Sequence, residues 1–219
     1  MEVALVGRSN VGKSSLINAL VRRPVARTSA APGKTRLANF YRVQRGTAPA
    51  FYLVDLPGYG YARGGDAAAR EFNALTEAYF ARAVNADLPP SPRLRRPAEA
   101  SAEAGTRSAS QDSGGSLRGG AGLVRPAGRK DIAVLLLVDA RHPGLESDLD
   151  AWHWVKTQPV ARGIVATKVD KLTRAERVRH TRELESSFEA PVLLVSAQNG
   201  EGLEELWKLI ARLPKETAA

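Results

Sequence analysis

"GRSNVGKS" at residues 7–14 directly follows the apolar run at residues 3–6 and has the spacing G-x-x-x-x-G-K-S. Glycines at this spacing allow a tight turn in which backbone N–H groups surround phosphate oxygens, while Lys13 reaches the β- and γ-phosphates and the Ser14 hydroxyl binds Mg²⁺. The helix expected from Lys13 onward directs the positive end of its dipole at the same anion. The stretch therefore predicts a strand, a phosphate-binding loop and a helix. The predicted phosphate contacts are Gly7, Arg8, Ser9, Asn10, Val11, Gly12, Lys13 and Ser14.

Runs rich in β-branched residues alternate with helix-patterned segments along the rest of the chain. We expect strands at residues 2–6, 38–44, 50–55, 132–138, 163–167 and 191–195. We expect helices near residues 13–22, 66–84, 146–157, 174–187 and 202–213. This alternation predicts a three-layer α/β fold around a mostly parallel six-stranded sheet. A short polar link at residues 45–49 predicts that the second and third strands form a hairpin, which supplies one antiparallel edge strand.

Residues 85–130 interrupt this alternation with a segment that is rich in Pro, Ser, Gly, Ala and Arg and contains no aromatic residue. Such a segment buries too little apolar surface to offset the entropy lost on ordering, so we predict a disordered insertion. Because it follows a helix, and helices of a parallel α/β sheet run back from the nucleotide edge, we expect it to leave at the opposite edge. The predicted organisation is a single domain formed by residues 1–84 and 131–214, with a C-terminal tail at 215–219.

The composition limits the classes of function. The chain has 219 residues, a net charge of +9 and no cysteine, which excludes disulfides, thiolate catalysis and Cys-based zinc sites. No apolar run approaches the length of a membrane span, and the N-terminal residues lack the pattern of a signal peptide, so we expect a cytoplasmic protein. The basic charge predicts a polyanionic partner, above all nucleic acid.

"LVDLPGYG" at residues 53–60 is the second motif with chemical meaning. An apolar strand ends at Asp55, whose carboxylate at the strand tip can hold Mg²⁺ through water, and the Gly58 N–H can sense a γ-phosphate. The spacing D-x-x-G is weak alone but informative one hairpin after a phosphate loop. The predicted nucleotide contacts here are Asp55, Leu56, Pro57 and Gly58.

"APGKTR" at residues 31–36 lies between those two motifs. Thr35 can offer its hydroxyl to the Mg²⁺ of a triphosphate complex, and Thr28 is the alternative. A loop of this kind orders only when γ-phosphate and metal are both present, as in a molecular switch. The predicted contacts are Gly33, Lys34, Thr35, Arg36 and Leu37, and the full set of predicted Mg²⁺ ligands is Ser14, Thr35 and, through water, Asp55.

"ATKVD" at residues 166–170 indicates the base. Asp170 can accept hydrogen bonds from guanine N1–H and from its exocyclic amine, which adenine does not offer in that arrangement, and the Lys168 stem can lie over the ring. In "VSAQNGEG" at residues 195–202 a backbone N–H can meet guanine O6. The nucleotide is therefore predicted to be GTP, and the fold a P-loop GTPase domain (G domain). The predicted base contacts are Thr167, Lys168, Val169, Asp170, Val195, Ser196 and Ala197.

Together these motifs, with "LLLVDARHPGLESDLDAWHWV" at residues 135–155, make the chain similar to the EngB (YihA/YsxC) family of bacterial GTPases. "PGKTR", "DLPGYGYA" and "TKVD" are the more specific parts of the resemblance. It implies a role in assembling the large ribosomal subunit, with the subunit precursor and rRNA as partners, and a requirement for normal cell division and septation. We expect a monomer.

The catalytic residues are less well marked. Tyr59 stands directly after D-x-x-G, where Ras-type GTPases have a water-orienting glutamine. No arginine is clearly offered as a finger, because Arg36 and Arg63 fit a solvated or RNA-facing role better. We therefore expect slow intrinsic hydrolysis. Resemblance to MnmE-type GTPases implies that Asn10 helps to bind K⁺. The predicted catalytic group is Lys13, Thr35, Gly58 and Asn10.

Two other classes of protein fit part of the sequence. A P-loop kinase of a small metabolite would share the phosphate loop but would not need "TKVD" at residues 167–170. A passive RNA-binding protein, in which the nucleotide only stabilises the fold, would share the basic charge. Nucleotide turnover with and without ribosomal particles distinguishes the three.

Overall fold

Strand β1 (Glu2–Gly7) lies at the centre of the sheet in the computed structural model, which describes residues 1–26, 38–59, 74, 76–81, 94–95 and 132–216. The other strands are β2 (Ala38–Val43), β3 (Phe51–Asp55), β4 (Leu94–Arg95), β5 (Ile132–Asp139), β6 (Ala161–Thr167) and β7 (Val192–Leu194). Their order is β4-β2-β3-β1-β5-β6-β7. Strands β3, β1, β5, β6 and β7 are parallel, whereas β2 is antiparallel to β3. The six predicted strands are present, which confirms the mostly parallel sheet.

Strand β4 is the feature that the sequence did not predict. Leu94 pairs with Ala38 and Arg95 with Asn39, in parallel, so β2 is not the edge strand. Asn39 in turn lies opposite Asp55 at the end of β3, so β4 borders the edge of the sheet that carries the phosphate loop. These two residues are paired, whereas the prediction that segment 85–130 is disordered and leaves at the opposite edge otherwise falls on residues outside the described part of the chain. Backbone pairing with an open strand needs no apolar side chain, and composition therefore does not reveal it.

The helices in the described part of the chain are α1 (Lys13–Val21), α2 (residues 76–81), α3 (Glu146–Thr157), α4 (Arg174–Phe188) and α5 (Leu203–Glu216). A short 3₁₀ helix spans Val169–Lys171. Of the helix predicted at 66–84, only residues 74 and 76–81 are described, and they are helical. None of these described helices has the length and apolar character that crossing a bilayer requires.

Each face of the sheet carries an apolar core. Helices α2, α3 and α4 cover one face with Tyr79, Phe80, Trp152, Val155, Leu184 and Phe188. Helices α1 and α5 cover the other with Leu16, Ile17, Leu20, Leu206, Ile210 and Leu213. All eight residues of β5 are buried, as expected for a strand covered on both sides. The three-layer α/β architecture is thus confirmed, and the carboxyl ends of β1, β3, β5 and β6 meet at one edge of the sheet.

Candidate nucleotide-binding site

The loop between β1 and α1 begins and ends at positions that require glycine. At Gly7 a Cβ atom would lie 2.7 Å from the backbone oxygen of Leu137 in β5, which leaves no room for a side chain. Gly12 has a φ of 111°, a left-handed conformation that other residues rarely adopt. The two glycines of the motif therefore fix the turn from the sheet into helix α1.

Lys13 folds back over this loop. Its Nζ donates hydrogen bonds to the backbone oxygen of Gly7, at 2.8 Å, and to that of Arg8, at 3.2 Å. Burial lowers the pKa of Lys13 to about 8, against the opposing effect of the Asp55 carboxylate. The ammonium group is thus held over the phosphate loop and remains mostly charged at neutral pH.

Asp55 lies at the tip of β3 with 2% of its surface exposed. One carboxylate oxygen, Oδ2, lies 3.5 Å from the Ser14 hydroxyl. The other, Oδ1, is buried and has no hydrogen-bond partner among the described residues. Burial raises the pKa of Asp55 to about 6, and Lys13 and Ser14 oppose that rise. A buried carboxylate oxygen without a partner, next to a hydroxyl, fits a magnesium ion, which prefers such oxygen ligands.

The segment after β3 packs directly on the phosphate loop. A Cβ atom at Gly58 would lie 2.6 Å from the backbone nitrogen of Ser9, so only glycine fits there. The Ser9 N–H donates a hydrogen bond of 3.2 Å to the backbone oxygen of Tyr59. Residues 58–59 and the phosphate loop are consequently packed against each other through their backbones.

A buried carboxylate from helix α3 also reaches this unit, and sequence reasoning missed it. Asp148 accepts hydrogen bonds from the Tyr59 hydroxyl, at 2.9 Å, and from Arg8 Nε, at 3.0 Å. A signal was available, because Asp148 stands four and seven residues before the buried Trp152 and Val155 and so lies on the apolar face of its helix.

The loop after β6 is attached to the phosphate loop from the other side. Thr167 Oγ1 donates to the backbone oxygen of Val11 at 2.6 Å, and Lys168 Nζ donates to that of Asn10 at 2.6 Å. Lys168 has a left-handed φ of 63°. The predicted base loop and the predicted phosphate loop are therefore joined by two direct hydrogen bonds.

Asp170 and Ser196, predicted on separate motifs, are in contact. Ser196 Oγ donates to Asp170 Oδ1 at 2.7 Å and itself accepts from the backbone N–H of Gln198 at 3.1 Å. The hydrogen bond from Ser196 holds the pKa of Asp170 below its usual range, although partial burial opposes it. Asp170 is therefore an oriented, ionised acceptor at neutral pH.

Asp139, at the end of β5, is a second site residue that sequence reasoning missed. Its carboxylate accepts from Lys168 Nζ at 2.8 Å and from Arg141 Nε at 2.9 Å. Burial favours the protonated form, but these hydrogen bonds outweigh it and hold the pKa of Asp139 well below its usual range. Asp139 thus orients the lysine that is expected to lie over the base.

Part of the predicted site lies outside the described residues. This applies to the alternative Thr28, to Arg63 and to the predicted contacts Gly33, Lys34, Thr35, Arg36 and Leu37. Within the part of the chain that the structure describes, no group of three or more His, Asp or Glu side chains is arranged to hold a metal ion. The Mg²⁺ ligands that can be assessed here are Ser14 and Asp55.

Comparison with known proteins identifies the family. A family model described as "50S ribosome-binding GTPase" matches residues 2–101. "Probable GTP-binding protein EngB" of Heliobacterium modesticaldum is 35% identical over 214 residues, which cover 95% of this chain and 80% of that protein. The chain belongs to the EngB family of GTP-binding proteins. The protein of the same name from Thermotoga maritima is 35% identical over 219 residues, with 98% and 87% covered. This EngB-family chain is accordingly a GTPase, which binds GTP and hydrolyses it.

Solved structures share the fold of this EngB-family chain. Era in complex with MgGDPNP and nucleotides 1506–1542 of 16S ribosomal RNA has a TM-score of 0.67 at 19% identity, over 97% of this chain and 56% of that one. A probable GTP-binding protein EngB has a TM-score of 0.60 at 16% identity, over 99% of both chains. NFeoB from S. thermophilus bound to GDP·AlF₄⁻ and K⁺ has a TM-score of 0.56 at 18% identity, over 97% and 62%. These likenesses confirm the P-loop GTPase fold.

Proposed function

We propose that this EngB-family GTPase is a cytoplasmic, monomeric switch in the assembly of the large ribosomal subunit and is needed for normal cell division and septation. The observation that carries the proposal is the packing of three separate segments into one unit. Gly58 and Tyr59 pack on Ser9, and Lys168 bonds to Asn10, so both loops that flank the phosphate loop depend on its state. Such an arrangement lets the γ-phosphate change the exposed surface around it.

The nucleotide is assigned to the residues predicted from the motifs. Residues 7–14 surround the phosphates, residues 33–37 and 55–58 respond to the γ-phosphate, and residues 167–170 with 195–197 hold guanine. Asp170, oriented by Ser196, accepts from the two guanine donors. Adenine is disfavoured because it does not offer this carboxylate the two donors that guanine offers.

Ser14 and, through water, Asp55 are the described residues that would hold Mg²⁺, and Thr35 would join them only with GTP. The support is the buried Asp55 oxygen that has no partner among the described residues. When bound, the ion supplies positive charge that offsets the negative charge of the β- and γ-phosphates. Lys13, already directed over the loop, adds to that charge from the protein side.

Two observations support the ribosomal partner. The net charge of +9 favours an RNA-rich surface, and the matching family model is described as a 50S ribosome-binding GTPase. Binding that depends on phosphate contacts should weaken steeply as salt rises.

Sedimentation of the protein with ribosomal particles tests the proposal. We expect the form loaded with a non-hydrolysable GTP analogue to co-sediment with large subunits or their precursors, and the GDP form to bind at least tenfold more weakly, over a salt series. The controls are small subunits and an unrelated RNA as long as the RNA of the large subunit. Equal binding in both nucleotide states indicates the passive RNA-binding protein instead.

Hydrolysis is proposed to be slow and to respond to K⁺. Tyr59, which lacks an amide to orient water, follows Gly58, and Asn10 has a left-handed φ of 62° in the middle of the phosphate loop. The fold neighbour NFeoB binds K⁺ together with GDP·AlF₄⁻. We expect faster single-turnover hydrolysis in K⁺ than in Na⁺ at equal ionic strength.

The matched variants for this test are Asn10→Gly and Asn10→Asp. Glycine tolerates the left-handed backbone but has no side chain, whereas aspartate keeps an oxygen ligand. The difference between K⁺ and Na⁺ should vanish in Asn10→Gly and persist in Asn10→Asp. A K⁺ response that survives in Asn10→Gly would place the ion elsewhere.

A further inference from the structure

Three elements of the site meet at one carboxylate oxygen. Oδ1 of Asp148, in helix α3, accepts from the hydroxyl of Tyr59 at 2.9 Å and from Nε of Arg8 at 3.0 Å. Arg8 is the second residue of the phosphate loop, and Tyr59 directly follows Gly58. The Asp148 side chain is 2% exposed, so the carboxylate is buried, whereas the Arg8 side chain is 26% exposed.

The carboxylate lies in surroundings that do not favour it. Its helix otherwise buries Trp152 and Val155 on the same face. Burial raises the pKa of Asp148, and the hydrogen bonds from Tyr59 and Arg8 counteract that effect. Because the carboxylate is buried, losing either hydrogen bond should cost more than losing the same bond between exposed side chains. We therefore expect Asp148, Tyr59 and Arg8 to be strongly coupled in energy.

The three side chains lie beside a main-chain contact between the phosphate loop and Gly58, the proposed sensor of the γ-phosphate. The backbone oxygen of Tyr59 accepts from the Ser9 N–H at 3.2 Å, and Gly58 lies against the backbone of Ser9. A parallel bridge between Arg8 and Tyr59 runs along the same contact. The Asp148 hydrogen bonds fix the side chains on both strands of this bridge.

We propose that Asp148 is a positioning residue for GTP hydrolysis: through Tyr59 and Arg8 it holds the Gly58–Tyr59 segment against the phosphate loop, so that the γ-phosphate enters a site that is already ordered. The inference rests on the proposed role of Gly58 in sensing the γ-phosphate. Without these bonds, the binding energy of the nucleotide has to offset the cost of ordering the Gly58–Tyr59 segment. Only the triphosphate reaches that segment. GDP binding should therefore be insensitive to Asp148.

The test measures the affinities for GDP and for a non-hydrolysable GTP analogue, together with the single-turnover rate, in purified full-length variants. Asp148→Ala should weaken analogue binding about fivefold to twentyfold and slow hydrolysis about tenfold, with GDP affinity within about twofold of wild type. Tyr59→Phe, which removes only the hydroxyl, should give the same pattern more weakly. Asp148→Asn keeps an acceptor oxygen and should recover part of the loss. Asp150→Ala, an exposed aspartate on the same helix, is the matched control and should match wild type.

The double variant supplies a second measurement. If Tyr59 acts through Asp148, Tyr59→Phe should add little to the effect of Asp148→Ala. Fully additive effects would overturn the inference. So would an unchanged ratio of analogue to GDP affinity in Tyr59→Phe and Asp148→Asn, whatever their melting temperatures, because a purely structural role does not distinguish the two nucleotides. Tyr59→Phe decides the matter even if Asp148→Ala does not fold.

Gly58→Ala separates this inference from the proposal beneath it. A methyl group there meets the backbone of Ser9 and should weaken binding of the GTP analogue. If Gly58→Ala leaves the analogue affinity unchanged, the proposed role of Gly58 is wrong. If Gly58→Ala weakens it and the Asp148 and Tyr59 variants do not, the role of Gly58 stands and the positioning role of Asp148 is wrong.

Discussion

Replacing Asp170 with Asn should weaken GTP binding by roughly 2–4 kcal/mol, or about thirtyfold to a thousandfold. The substitution places an amide donor where a carboxylate oxygen faces the two donors of guanine. The oxygen Oδ1 can still accept from Ser196, as in wild type, so the loop should keep its geometry. Xanthosine triphosphate, which presents a carbonyl at that position, should bind the variant better than GTP does.

Titration of both nucleotides against Asp170→Asn and wild type measures this exchange of preference. Ser196→Ala is the companion variant, because it removes the hydroxyl that orients Asp170 and leaves the carboxylate in place. Ser196→Ala should weaken GTP binding without creating any preference for xanthosine triphosphate. Wild-type GTP affinity in Asp170→Asn would show that the base lies elsewhere.

Replacing Asp55 with Asn should stabilise the protein in the absence of metal and nucleotide while impairing its binding of Mg²⁺ with GTP. The carboxylate is buried, its Oδ1 has no partner among the described residues, and its pKa is raised to about 6. The folded state therefore carries a charge that it solvates poorly. A rise of pKa of this size corresponds to about 3 kcal/mol as an upper value.

The sign of the pH dependence follows from the raised pKa. Near pH 4 the folded wild type holds Asp55 protonated at little cost, and stability is lost as pH rises through about 6, where the folded protein has to release that proton. Asn carries no charge at any pH. The stability of Asp55→Asn relative to wild type should consequently increase by up to about 3 kcal/mol between pH 4 and pH 7.

Denaturant unfolding at several pH values, with chelator present, measures this difference. Asp150→Asn, at an exposed position on α3, should show no such trend. With Mg²⁺ and GTP present, the wild type should become more stable than Asp55→Asn, because the ion supplies the missing partner of the carboxylate. A constant difference across the pH range would mean that Asp55 is already satisfied in the metal-free protein.

The sequence predicted those parts of the molecule that local pattern determines. Apolar strands such as Ile132–Asp139, and the glycines that the backbone requires at Gly7 and Gly12, follow from short-range rules. Side-chain contacts between segments that are distant in sequence do not follow from such rules. Asp148 meets Arg8 across 140 residues of sequence, and no spacing rule links them. Strand β4 pairs with β2 through its backbone, in a segment whose composition favours disorder.

The central place of β1 has a consequence for the order in which the protein is made. From Glu2 to Gly7 this strand pairs with β5, whose matching residues run from Ile132 to Leu137. At about 5–20 residues per second, translation takes on the order of 10 s between these two strands. During that interval the first apolar strand and the phosphate loop lack one side of their sheet. Segment 85–130 lengthens the interval by several seconds at the same rate, and so extends the time for which the nascent chain needs protection from aggregation.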